Sequence, residues 1–152
     1  MANLTGWKQL HWPEYGAELL GTAFNIFVGL RAVVFNMGQG LPMEHLIPNQ
    51  SIRLLITGLL FAGSGSLVAI SPLGKLSGGH INPSVSLAFW AQAKMHQHDI
   101  GGYIIAQFLS AFIGAALLVF VWGGYATSVN NGMTLPVTTL PLYFQKRQST
   151  TS

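Results

Sequence analysis

Between two apolar runs, each long enough to cross a bilayer, lies a stretch that is too short to do so. Residues 74–90 read G-K-L-S-G-G-H-I-N-P-S-V-S-L-A-F-W. A glycine-rich piece holding Gly74, Ser77, Gly78 and Gly79 leads into Asn82-Pro83, then into an apolar helical pattern of Val85, Leu87, Ala88, Phe89 and Trp90. Asparagine is a favoured N-cap and proline suits the first helical position, so a helix is expected from Asn82 to about residue 94. About a dozen residues rise ~18 Å, roughly half of a ~30 Å hydrocarbon core. A loop that enters the membrane and returns as a half-length helix leaves that helix's N-terminus near the midplane. There it presents unpaired N–H groups and about half a positive charge. The competing reading is a glycine-rich loop before a surface helix of a water-soluble protein, and the flanking apolar runs argue against it.

Composition supports the membrane reading. The 152 residues are 50% hydrophobic and only 7% charged, whereas soluble domains average about 25% charged. Such a chain cannot cover a water-facing surface, and the expected class is an all-α membrane protein with the lipid bilayer as its first partner. Seven basic against four acidic residues give a net charge of +3. They are scattered rather than arranged in a stripe, so no nucleic-acid partner is expected. With no cysteine, disulfides, thiolate catalysis and thiolate metal sites are excluded. The first apolar run contains Glu18 and Arg31, and is too long and too polar for a signal-peptide core.

Three spans are expected, at about residues 14–37, 52–70 and 100–122. Trp7 and Trp12 before the first span, with Tyr103 and Trp122 at the ends of the third, read as interfacial anchors. Residues 38–51 carry Gly38, Gly40, Pro42 and Pro48 and read as a loop. Small residues at helical spacing predict close backbone packing, with Gly58, Ala62 and Ser66 on the second span. The third span carries Ala106, Ser110 and Gly114, with Ala111 and Ala115 beside them. Glu18 and Arg31, thirteen residues apart, lie ~20 Å apart on a helix and cannot pair. Gln107, polar in mid-span, needs a partner within the protein because lipid offers none. The run His96-Gln97-His98-Asp99 invites a metal reading, but His96 and His98 fall on different helix faces. A solvated linker is expected there, with no metal or other cofactor. Because no nucleophile–base pair or phosphate loop appears, no catalytic residue is assigned and the chain is read as no enzyme.

The string Ser-Gly-Gly-His-Ile-Asn-Pro-Ser resembles the first Asn-Pro-Ala loop of the aquaporin and glycerol-facilitator (major intrinsic protein) family, with Ser84 in place of alanine. Ala17-Glu18-Leu19-Leu20-Gly21-Thr22 is similar to the family's first-helix signature, and Gly102-Tyr-Ile-Ile-Ala-Gln107-Phe to its third helix. The resemblance covers residues 14–136, the first half of the family's pattern and one of its two inverted repeats. Three spans, the second Asn-Pro-Ala loop and a filter arginine have no counterpart here. Residues 137–152 are expected to be an irregular tail. Arg31 departs from the family, which has a small residue there; it either snorkels to the interface or meets different neighbours.

The resemblance implies a membrane channel for passive transport of water and/or small neutral solutes such as glycerol. Asn82 would donate to a passing oxygen, and the carbonyls of Gly78, Gly79, His80 and Ile81 would form an acceptor ladder beside Pro83 and Ser84. His80 would fix the loop rather than relay protons. Glu18 would accept hydrogen bonds from the loop, and Gln107 would be a structural hydrogen-bonder. One filter residue would come from Phe61 or Ala62. The expected location is a multi-pass protein of the plasma membrane, with its N-terminus in the cytoplasm. A single copy cannot enclose a pore, so a homo-oligomer or a complementary half is implied. Lys8, Lys75 and Lys94 on one side balance Arg53, Lys146 and Arg147 on the other, so the positive-inside rule permits copies in opposite orientations. The alternative is a non-conducting fragment, or one active only with a second half.

Overall fold

The computed structural model describes residues 10–38 and 40–128, so Trp7, Lys8 and the expected tail at 137–152 lie outside the described residues. The elements run α1 (Trp12–Met37), α2 (Pro42–Leu46), α3 (Gln50–Ile70), α4 (Pro72–Ser77), α5 (Pro83–Ala91) and α6 (Asp99–Ser128). Prolines occupy the first turn of α1, α2, α4 and α5, where a missing N–H costs nothing. Asn49 caps α3 by accepting from Ser51 N at 2.9 Å, and Ser71 caps α4 by accepting from Gly74 N at 3.2 Å. Helix α6 departs from helical geometry at Gly123, with φ 40° and ψ −112°, a conformation open to glycine.

Three helices are long and apolar enough to span a membrane: Trp12–Met37, Gln50–Ile70 and Asp99–Gly123. The distribution of side chains agrees. Phe120 is 88% exposed, Phe112 74% and Ile70 68%, while Glu18, Gln107, Ser86 and Ser110 are almost fully buried. Apolar groups outside and hydrogen-bonded polar groups inside suit lipid rather than water. The protein is an integral membrane protein.

Helix α1 is the centre of the bundle. It pairs antiparallel with α3: Asn36 Nδ2 donates to Thr57 Oγ1 at 3.0 Å, and Ser64 Oγ donates to Asn25 Oδ1 at 2.6 Å. Between these bonds the Phe61 ring lies on Gly29, so close that a Cβ there would sit 1.8 Å from it. Helix α1 runs parallel to α6, where Ser110 Oγ donates to Leu19 O at 2.8 Å and Gly114 faces Ala23 and Ile26.

Several expectations change. The 38–51 loop contains α2, and the glycine-rich piece contains α4 before its irregular backbone begins. Helix α5 ends at Ala91 rather than near 94, because the chain turns left-handed at Ala93, φ 54°. That turn closes the helix with Lys94 N donating to Phe89 O at 3.0 Å. Tyr103 is not an interfacial anchor: it is 7% exposed and packs edge-on against Tyr15, centroids 5.7 Å apart. Gly58, Ala62 and Ser66 are exposed, so that stripe packs nothing among the described residues. The neighbouring face, with Thr57, Phe61, Gly65 and Val68, meets α1 instead. Arg31 lies over the Trp122 ring, 5.9 Å from its centroid, a cation–π arrangement.

Candidate functional site

Since α3 runs against α1 and α6 runs with it, residues 71–98 must start and finish at the same end of the bundle. They nevertheless reach its interior: Ile81 lies against Gly21 of α1 and Gly65 of α3. The loop therefore enters, turns and returns as α5, a helix of 9 residues, or ~13 Å.

Glu18 holds the loop in place. Its Oε1 accepts from His80 N at 2.8 Å and from Ser77 Oγ at 2.9 Å. Its Oε2 accepts from Ile81 N and from Gln107 Nε2, both at 2.8 Å. The carboxylate is an acceptor surrounded by donors, the arrangement that makes its burial tolerable. Two of those donors are consecutive backbone amides. In a trans peptide the N–H and C=O point in opposite directions, so the carbonyls of Gly79 and His80 point away from Glu18. The geometry requires unusual backbone: Gly78 and Gly79 have φ of 86° and 62°, and Ile81, a β-branched residue, has φ 44°. A side chain at such an angle costs energy that surrounding contacts must offset, and the Glu18 bond to the Ile81 amide is one of them.

Asn82 caps α5, its Oδ1 accepting from Ser84 N at 2.8 Å. With the oxygen so engaged, the Nδ2 amide has no partner among the described residues and lies on an exposed residue. Pro83 opens the helix and Ser84 is exposed beside it. The His80 ring is buried at 6% exposure, with Nδ1 meeting Ser86 Oγ at 3.1 Å. Phe89 and Tyr103 lie against it, at 4.5 and 5.0 Å between centroids. Ser86 also accepts from Gln107 Nε2 at 3.0 Å. Tyr103 OH donates to Ser77 O at 2.6 Å.

All nine residues singled out in the sequence therefore converge: 78–84 form the loop and cap, and Glu18 and Gln107 lie behind them. Ser77, Ser86 and Tyr103 were missed as supports. Ser86, one helical turn after Asn82 and so on the same side of α5, is the one that spacing could have revealed. Of the two filter candidates, Phe61 is committed to Gly29, whereas Ala62 is exposed.

At the end of the bundle where the loop enters, His11 Nδ1 meets Asp99 Oδ2 at 2.9 Å, and Tyr15 OH also donates to Asp99. The Asp99 carboxylate beside it raises the His11 imidazole above its ordinary range.

The model of the major intrinsic proteins matches residues 5–144, nearly the whole chain. The chain belongs to the major intrinsic protein family. A probable aquaporin of Archaeoglobus fulgidus is 33% identical over 81% of this chain and 53% of its own length. Aquaporin Z of Photorhabdus laumondii is 33% identical over 73% of this chain and 44% of its own. An aquaglyceroporin of Rhizobium meliloti is 35% identical over 66% and 40%. The chain thus spans about half the length, or less, of the curated relatives it matches.

Proposed function

We propose that this chain supplies one half of a pore for passive transport of water and/or small neutral solutes such as glycerol. The observation that carries this reading is the loop held by Glu18. Two amides turned inward leave the Gly79 and His80 carbonyls facing away from the anchor, and Asn82, next but one along the chain, keeps an Nδ2 with no partner among the described residues. A neutral solute bearing both donors and acceptors exchanges its water partners for these without a charge to neutralise. The positive end of α5 opposes cations at the same point. Ala62, rather than Phe61, is the residue that this half would contribute to a filter.

The second half would be an inverted copy of this chain or a complementary half, in the plasma membrane with the N-terminus cytoplasmic. A second reading, in which one chain alone does not conduct, is supported by the exposure of Asn82, Ser84 and Ala62: none of the described residues covers the face that carries them. Purified protein in liposomes, followed by light scattering after an osmotic step, separates the two. Shrinkage well above that of empty liposomes, and abolished by Asn82→Asp, supports a pore assembled from copies. Shrinkage at the empty-liposome rate means that copies alone do not conduct.

A further inference from the structure

Beneath the mouth of the loop, the fold brings His11 from the start of α1 to His98 and Asp99 at the start of α6. The potential ligand atoms of these three residues all lie within 4.8 Å of one another. His11 Nδ1 is 2.9 Å and His98 Nε2 4.0 Å from Asp99 Oδ2. We propose that His11, His98 and Asp99 form a binding site for a borderline divalent transition metal, Zn2+ by preference.

The chemistry of the donors selects the ion. Two imidazoles and one carboxylate suit zinc, whereas Mg2+ and Ca2+ favour all-oxygen shells. Zinc–ligand bonds of ~2.0–2.2 Å put neighbouring tetrahedral ligand atoms about 3.4 Å apart. The observed separations bracket that value. Both histidine side chains are nearly half exposed, at 46% and 44%, while Asp99 is 7% exposed. The carboxylate is therefore held within the bundle, and the imidazoles reach it from the surface, stacked on one another. An ion at this point replaces the proton that now links His11 to Asp99. Three protein ligands leave a fourth position for water.

Two further features favour a site over a chance encounter. The Tyr15 hydroxyl donates to Asp99 Oδ1, the kind of outer bond that orients a ligating carboxylate. Tyr15 itself is locked between Trp12 and Tyr103. Glu14 lines a pocket of about 330 Å3 together with His11, His96 and Asp99, His98 lying outside its lining, and its Oε2 is buried without a hydrogen-bond partner among the described residues. It adds negative charge close to the proposed ion. Lys94 also lines the pocket and opposes it. His96 stacks on His98, centroids 5.4 Å apart, and is a neighbour rather than a ligand. Because His11 and Asp99 stand at the starts of α1 and α6, a bound ion would tie the first and third spans together, and Ser77, Gly78 and His80 of the loop line the pocket beside them.

The test is calorimetric titration of Zn2+ into the full chain in detergent, free of any oligohistidine tag, with Mg2+ as the comparison ion. It is independent of conduction. One equivalent of Zn2+ is expected to bind, with no measurable Mg2+ heat. His11→Ala, His98→Ala and Asp99→Asn should each weaken binding at least tenfold. His96→Ala, and His45→Ala in exposed α2, should leave it within threefold. His11 and His98 are exposed, so their loss does not threaten the fold. Absence of saturable Zn2+ binding at millimolar metal overturns the proposal. So does retention of full affinity by His11→Ala, which would move the site to the 96–99 segment alone.

Discussion

Glu18 has no water to turn to, and its stability rests on four donors, two of them backbone amides of the loop. Bonds to a charged group are worth about 1.5–3 kcal/mol each, and a buried donor left unpaired costs about 1–3. Glu18→Gln keeps one acceptor oxygen but turns an NH2 towards groups that are themselves donors. It should lower stability by about 3 kcal/mol or more, read as a clear fall in the thermal midpoint in detergent. An unchanged midpoint would mean that the loop is held by other contacts. Tyr103→Phe removes a single hydroxyl bond to Ser77 O and should cost about 1 kcal/mol in the same assay. The ordering of these two losses tests whether Glu18 is the principal anchor.

Elements in this bundle approach one another through glycine. Helices α1 and α3 close because Gly29 leaves room for the Phe61 ring, and a Cβ there would lie 1.8 Å from it. Gly29→Ala therefore forces the pair apart and should destabilise by about 1–3 kcal/mol, the usual range for overpacking. Shrinking the ring relieves the clash. In the double variant Gly29→Ala/Phe61→Ala the losses should fall short of their sum, with a coupling of about 0.5–3 kcal/mol in a double-mutant cycle. Strict additivity would place the contact elsewhere. The polar pairs on either side, Asn25 with Ser64 and Asn36 with Thr57, fix the register of the two helices, because sliding by one turn would leave four polar groups facing hydrocarbon.

Across the whole molecule, a pore requires the exposed faces to divide between water and lipid. The chain has no cysteine, so single substitutions report without background. Ala62→Cys and Ser84→Cys, on the uncovered face, should react with a water-soluble maleimide in liposomes. Phe120→Cys, on the most exposed ring of α6, should not. Equal protection of all three would make the face beside Asn82 a lipid-facing or tightly packed one and would count against a pore there.

The class of the protein, its three spans and the re-entrant half-helix were legible in the chain alone. The reason is energetic: hydrocarbon tolerates few charges and no unpaired backbone, so length, charge poverty and an Asn-Pro cap leave few arrangements. Glu18 and Gln107 announced themselves because a lone polar residue in a span must have a partner. The resemblance implied the loop as Glu18's partner, but not which amides bond to it, since His80 and Ile81 lie 62 and 63 residues from Glu18 and no periodicity connects them. Which of Phe61 and Ala62 is left exposed needed the rotation of α3 against α1, where Phe61 meets Gly29. Gly58, Ala62 and Ser66 promised a packing face from spacing, yet which side of a helix is covered depends on the neighbours it meets. The meeting of His11 with Asp99 across 88 residues follows from α1 and α6 running parallel. That is a property of the assembled bundle, invisible in any local run of residues.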